Sequence, residues 1–220
     1  MSPLGRPRLH LREIDSTNRR ARELAGAGAP HGTLVTAAAQ TAGRGRQGRR
    51  WDAPAGSALL CSLVVRDLDA LLSLRAGLAV ADVAGEPARV KWPNDVLVDG
   101  RKVAGVLVEG RPQDGWAVVG IGINVAAAPA GVPGAGALGR ADVEEVLTEL
   151  LTALEARLGE PAAATLTALR ARDALLGAPV SWDGGAGVGD GIDADGGLRV
   201  RMAAGDVNVL SAGEVHLGGA

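Results

Sequence analysis

Two lysines stand apart in a chain that otherwise carries its positive charge on arginine. Of 23 basic residues only Lys91 and Lys102 are lysine, and they lie eleven residues apart. Heavy use of Ala, Gly, Arg and Val points to a GC-rich coding bias, under which lysine drifts to arginine wherever either serves. The two that persist mark positions where a compact ammonium is needed rather than a planar guanidinium fork. Lys91 opens Lys91-Trp92-Pro93-Asn94-Asp95, in which Pro93 ends a strand and leaves Asn94 and Asp95 at a loop edge. Lys102 follows Asp99-Gly100, a strong short hairpin signal that brings it back near Lys91. A strand lysine taken alone is usually a solvated edge residue. Strict alternation puts Lys102 and Ala104 on one face of the returning strand.

A second group is Gly43-Arg44-Gly45-Arg46-Gln47-Gly48-Arg49-Arg50-Trp51, preceded by Gln40. Its glycines allow close backbone approach to a ligand, and Arg44, Arg46 and Arg49 supply forked donors for anionic oxygens. It lacks the Gly-Lys-Ser/Thr ending of a Walker loop. The competing readings are a solvated basic loop and a nucleic-acid arm; the latter wants stacking aromatics, and only Trp51 is present. Two further segments bear on ligand binding. Gly120-Ile121-Gly122-Ile123-Asn124 is an apolar strand interrupted by glycine, which signals close approach of a ligand or a neighbouring element. It has no GxGxxG frame, so a dinucleotide fold is disfavoured. Ser16-Thr17-Asn18 reads, on its own, as a helix cap.

The elements that must position these groups follow from periodicity. Leu9–Ile14 alternates as a half-buried strand, and a helix capped by Asp15 or Ser16 runs to about Ala25. Residues 33–39 and 57–65 read as strands, and 68–83 has helical periodicity. Residues 89–92, 96–98, 102–109 and 116–125 are further strands. Two helices follow, about 141–158 and 161–175, the first with an apolar stripe from Val143 to Leu158. Beyond Gly177 come five short strands separated by Gly/Asp turns. The expected fold is α+β, with a mostly antiparallel sheet in residues 1–176 and a small β module in 177–220.

Composition bounds the function. No apolar run reaches the roughly 18 residues a membrane span needs, and no secretory h-region follows Met1, so a cytoplasmic protein without a membrane partner is expected. The net charge of −2 argues against a nucleic-acid surface. The single cysteine, Cys61, sits in an apolar run and reads as a small buried hydrophobe.

Taken in order, these motifs closely resemble those of biotin–protein ligases, from residue 9 to about 125. The resemblance implies a catalytic domain akin to class II aminoacyl-tRNA synthetases followed by an SH3-like barrel. It implies that biotin and MgATP give biotinyl-5′-AMP and pyrophosphate, after which a lysine of a carboxylase biotin-acceptor domain takes the biotinyl group. Carried over by motif, Ser16, Thr17, Asn18, Gln40, Arg44, Gly45, Arg46, Lys102 and Gly105 would line the biotin site. Arg49, Trp51, Asn94 and Asn124 would meet the nucleotide. Lys102, Arg44, Arg46, Arg49, Lys91 and Asp95 would form the catalytic centre, with Mg²⁺ assisting and no protein-held metal. Only eight residues precede the first predicted strand, so the operator-binding repressor role of some relatives is expected to be absent. The resemblance leaves monomer and homodimer open. Lipoate ligases share the fold but lack this pairing of the arginine loop with the Lys91–Asp95 segment.

Overall fold

The computed structural model describes residues 4–218. Its first sheet has seven strands: β1 (Arg8–Leu11), β2 (Leu34–Ala37), β3 (Ala58–Val65), β4 (Arg89–Lys91), β5 (Asp95–Val98), β6 (Arg101–Arg111) and β7 (Trp116–Asn124). Their spatial order is β1-β2-β3-β7-β6-β5-β4. Only the β1–β2 pair is parallel; the others are antiparallel, as the sequence led us to expect. Helices α1 (Thr17–Gly26), α2 (Leu72–Ala84), α3 (Val143–Gly159) and α4 (Ala162–Arg172) complete the α+β unit.

Strand alternation divides the core. Leu63, Val65 and Val119 face α2 and α3 in one large buried cluster. Their neighbours Val64 and Val118 face Ala21 and Ala25 of α1 in a smaller one. Sheet residues on the α1 face are therefore free to build a ligand floor beyond the end of that helix. On the opposite face Arg75, 4% exposed, clamps α2 to the end of α3 by donating to the carbonyls of Arg157 and Glu160 at 2.8 Å each.

Three elements differ from their sequence readings, each for a local polar reason. The chain leaves β1 after Leu11, and Ile14 makes only an isolated bridge to Gln40. Helix α2 starts at Leu72 rather than 68, because Asp69 accepts from the Leu71 amide at 2.8 Å and holds a turn there. Helix α4 stops at Arg172, after which the Ala174 amide donates to the Val90 carbonyl beside β4. The Asp99-Gly100 turn is as expected: both residues have positive φ, 49° and 72°, the conformation of a type I′ hairpin.

A second sheet is formed by β8 (Pro179–Trp182), β9 (Gly185–Ile192), β10 (Leu198–Arg201), β11 (Val207–Leu210) and β12 (His216–Leu217), in the order β11-β10-β9-β8-β12. Its interior is continuous with the first core: Val180, Leu198, Val200 and Val215 belong to the same buried cluster as α2 and α3. Trp92 Nε1 also donates to the Gly196 carbonyl at 2.9 Å. Truncating a side chain in this shared core should therefore destabilise the whole chain. Leu198→Ala is expected to cost about 2–5 kcal/mol. Calorimetry should show one endotherm moving to lower temperature; a separate early transition for the second sheet would contradict the shared core.

Candidate active site

The α1 face of the sheet carries a trough whose floor can be read from strand register. Gly105 of β6 pairs with Gly122 of β7, which pairs with Leu60 of β3. The next same-face row is Leu107, Gly120 and Ser62, and the third is Glu109, Val118 and Val64. The middle of this floor is glycine because other side chains lie directly on it. A Cβ on Gly120 would fall within van der Waals overlap of the Asn18 amide, and one on Gly122 would meet the Trp51 ring at 2.5 Å. The neighbouring elements signalled by these glycines are thus Asn18, at the start of α1, and Trp51, at the end of the arginine loop.

Around this floor opens a cavity of about 300 Å³. Ser16, Thr17 and Asn18 enter from the α1 N-terminus, Gln40 from the end of β2, and Arg44, Gly45, Arg46 and Arg49 from the loop. Lys102, Gly105 and Asn94 complete the opposite wall. A smaller recess of about 170 Å³ adjoins it, sharing Arg50, Trp51 and Lys102 and adding Asn124. Asp95 and Lys91 line neither; Asp95 stands behind Lys102, and Lys91 follows it across the ladder.

Lys102 stands between the two spaces. Its Nζ is 2.7 Å from Asp95 Oδ1 and 5.7 Å from the centre of the Trp51 ring. The strict alternation expected for β6 is broken here. Val96 pairs with Ala104 but Leu97 pairs with Lys102, so Val103 is an extra, bulged residue. Lys102 consequently shares a face with Gly105, whose added Cβ would sit 3.5 Å from the ammonium, and not with the core residue Ala104. The Lys102 backbone is held from its other side as well: its amide donates to Gly134 O and its carbonyl accepts from Gly136 N, both at 2.8 Å.

The arginine loop is more ordered than its composition suggests. Arg44 bridges Arg50, the Gly45 amide donates to Arg49 O at 2.7 Å, and a 3₁₀ turn spans Arg46–Gly48. Each guanidinium has a distinct partner. Arg44 meets Glu109 at 3.1 Å, Arg49 meets Glu214 at 2.6 Å, and Arg46 donates to Gly213 O at 3.3 Å. Burial and the nearby Arg49 charge lower the Arg46 pKa. Cys61 lies in the cavity wall, and burial pushes its thiol up to about 12, which leaves it a packing residue rather than a nucleophile.

With this geometry in view, the comparison with known proteins is specific. The model of the biotin/lipoate A/B protein ligase family matches residues 11–125. The chain belongs to this family. It is 41% identical to the biotin–[acetyl-CoA-carboxylase] ligase of Paracoccus denitrificans, over 95% of this chain and 100% of that one. It is 40% identical to the bifunctional ligase/repressor of Bacillus spizizenii over 56% of this chain, and spans 41% of that relative's length. Among solved structures, the biotin protein ligase of Aquifex aeolicus in complex with biotin and ATP superposes with a TM-score of 0.81. That match is 27% identical and covers 97% of this chain and 99% of the other.

Several residues of this ligase-family site were not singled out by sequence motifs. Ser62 donates to Asn18 Oδ1 at 2.8 Å, Glu109 accepts from Asn18 Nδ2 at 2.8 Å, and Glu214 holds Arg49. A usable signal existed for Ser62, a hydroxyl inside the otherwise apolar run 59–65. Glu109 has the strand parity of Gly105. Glu214 carried no signal, since its partner lies 165 residues away.

Lys91 gives a pH test. Burial lowers its pKa, with Asp95 and Glu214 opposing that shift. The unfolded chain therefore binds this proton more tightly than the folded one. The resulting cost to stability is full at neutral pH and disappears as pH rises through the ordinary lysine range. Lys91→Met is expected to raise the unfolding free energy at pH 7, and that gain should shrink at alkaline pH. A gain independent of pH in urea unfolding would mean that packing, not charge, is responsible.

Proposed function

We propose that this protein is a biotin–protein ligase that activates biotin with ATP and transfers it to a lysine of a carboxylase biotin-acceptor domain. The observation that carries this reading is the place of Lys102, between a polar cavity and an adjoining recess. Biotin's ureido ring needs neutral donors and acceptors. Ser16, Thr17, Asn18 and Gln40 supply them on one wall of the larger cavity, with Gly45 and Arg46 of the loop above and Gly105 on the wall opposite. A lipoyl dithiolane has no N–H or carbonyl to meet these polar groups and would forgo hydrogen bonds worth about 0.5–1.5 kcal/mol each. The valeryl carboxylate then points toward Lys102 and Arg44.

The recess beside Trp51 suits the adenosine. Asn124 is 2% exposed and its Nδ2 donates to Gly136 O at 2.8 Å, yet its Oδ1 has no partner among the described residues. A buried orphan acceptor at a cavity wall fits the exocyclic amine of adenine. Trp51 Nε1 is likewise buried without a partner, lying over Gly122 on the floor of the larger cavity. Asn94 lines the larger cavity while its amide donates to Val106 O at 2.9 Å, so its role is to fix the wall on the phosphate path. Arg44 and Arg49 contact the phosphates.

In the first step a biotin carboxylate oxygen attacks the α-phosphorus and the bond to the bridging oxygen of pyrophosphate breaks. Two anions must approach, and Lys102 with the loop arginines offsets their repulsion. In the second step the acceptor amine attacks the carbonyl carbon of the anhydride and AMP leaves; Asp95, behind Lys102, is the candidate base or orienting group for this step. Among the described residues no cluster of three or more carboxylate, His or Cys groups could hold a metal ion. Magnesium would enter with the triphosphate as MgATP and offset its charge. We read residues 1–176 as the synthetase-like catalytic domain and 177–220 as an SH3-like module that packs on it.

The decisive assay is pyrophosphate release with MgATP and biotin, run beside lipoate, with mass analysis of an added biotin-acceptor domain. Release with biotin alone and a biotinyl mass gain are expected; release with lipoate alone would overturn the reading. Lys102→Ala should lower the rate of adenylate formation by roughly 10²–10³-fold, as loss of one preorganised charge contact does. An unchanged rate would remove Lys102 from the reaction.

A further inference from the structure

Glu109 lines neither the cavity nor the adjoining recess, yet two groups of the site and the nearby Arg22 converge on it. Its Oε2 accepts from Asn18 Nδ2 at 2.8 Å, Arg44 lies 3.1 Å from its Oε1, and Arg22 lies 3.6 Å away. The carboxylate is 19% exposed and Asn18 is 3% exposed, so the first of these contacts is shielded from water. Behind Asn18 lies a line of hydroxyls. Ser62 Oγ is 2.8 Å from Asn18 Oδ1 and 2.9 Å from Thr17 Oγ1, and Ser62 is fully buried.

Counting protons fixes the direction of this line. A carboxylate only accepts, and so does the Leu107 carbonyl, 3.4 Å from the same Asn18 nitrogen. Two acceptors on one side force the Asn18 NH₂ toward them, and Oδ1 must face Ser62. Ser62 has one proton and gives it to Oδ1, because two acceptors at 2.8 Å would repel. Its remaining lone pairs then take the proton of Thr17. A second acceptor, Gln40 Oε1, lies 3.1 Å from the same hydroxyl while also accepting from the Thr17 backbone amide at 2.8 Å, and a proton shared with it likewise stays within the protein. Thr17 Oγ1 is thereby left facing the cavity with lone pairs only.

We infer that Glu109 is a positioning residue whose carboxylate sets the direction of proton donation along Asn18, Ser62 and Thr17, so that Thr17 meets the ligand strictly as an acceptor. The inference rests on the biotin reading above, since a ureido N–H is the donor that such an acceptor would receive. A neutral glutamine at 109 can present either its oxygen or its NH₂ to Asn18. The amide of Asn18 is then free to turn over, and the line loses its single direction.

The test is biotin binding to the full-length protein by calorimetry without ATP, for wild type, E109Q, N18A and the double variant. E109Q is expected to weaken biotin about tenfold or more, the scale of one charge-assisted hydrogen bond. The KM for ATP should stay within about twofold, because the recess around Asn124 is untouched. In the N18A background the further loss from E109Q should fall below about twofold, as coupling through one shared partner requires. S62A, which removes the middle hydroxyl with little change of shape, should reproduce the biotin-selective loss even if E109Q fails to fold. Biotin affinity of E109Q or S62A equal to wild type would overturn the inference, as would a loss from E109Q that persists fully without Asn18. Failure of wild type itself to bind biotin would instead overturn the ligase reading.

Discussion

Where one ammonium group points decides what this sheet can do. In an unbroken antiparallel ladder Lys102 would share the face of Ala104 and enter the core beside Val96 and Val106. A lone charge there would cost several kcal/mol or lose its proton. The extra residue Val103 turns the side chain to the other face, where Asp95 awaits it at 2.7 Å. A bulge leaves ladder groups unpaired, and residues 134–136 supply the missing partners to the Lys102 amide and carbonyl. Asn124 fixes the same segment through Gly136 O. The bulge, the Pro/Gly loop and the recess wall are therefore one construction, and none of the three positions Lys102 without the others.

The charges around Lys102 form a set of exchangeable pairs. Arg44 rests on Glu109, Arg49 on Glu214, Arg50 on Asp52 and Lys102 on Asp95. Most of these cations are close to half exposed, so each pair is worth about 0–1 kcal/mol. A phosphate or carboxylate oxygen held inside a closed site gains about 1.5–3 kcal/mol per charged hydrogen bond. Ligand anions can therefore take over the cations without a large penalty, while the empty site avoids the mutual repulsion of its arginines. Arg46 differs: its partner is a carbonyl, and burial beside Arg49 disfavours its charge. It is the loop cation with the most to gain from an arriving anion.

Much of this was legible in the residues. Lysine scarcity marked Lys91 and Lys102, and the Asp99-Gly100 turn marked the hairpin that returns Lys102 beside the Lys91–Asp95 segment. The glycines of β7 announced a close neighbour, though only the structure identifies Asn18 and Trp51. What escaped was of two kinds. The bulge at Val103 escaped because period-two alternation assumes an uninterrupted ladder, and the register shift is set by pairing with β5 and by residues 134–136. Glu109 and Glu214 escaped because a carboxylate that braces an arginine has no local pattern; its meaning lies 65 and 165 residues away. The ends of β1, α2 and α4 were misjudged where a side chain or a neighbouring strand offered the backbone a better partner than the next helical or strand bond.

The second sheet reads in sequence as a small module after the main sheet, and its contacts tie it closely to that sheet. Trp92, within the Lys91–Asp95 segment, donates to Gly196 O, and Gly196 itself packs against Leu71 and Leu74 of the α2 region. From the other end of the same sheet, Gly213 and Glu214 hold Arg46 and Arg49. One small sheet thus touches both motif-bearing segments from behind. The interior contact is apolar and continuous with the main core, so it sets position permanently; the loop contacts are at most partly buried and weak, so they set it only until an anion replaces them. That difference in strength lets the loop exchange partners at the site while the second sheet itself stays fixed on the core.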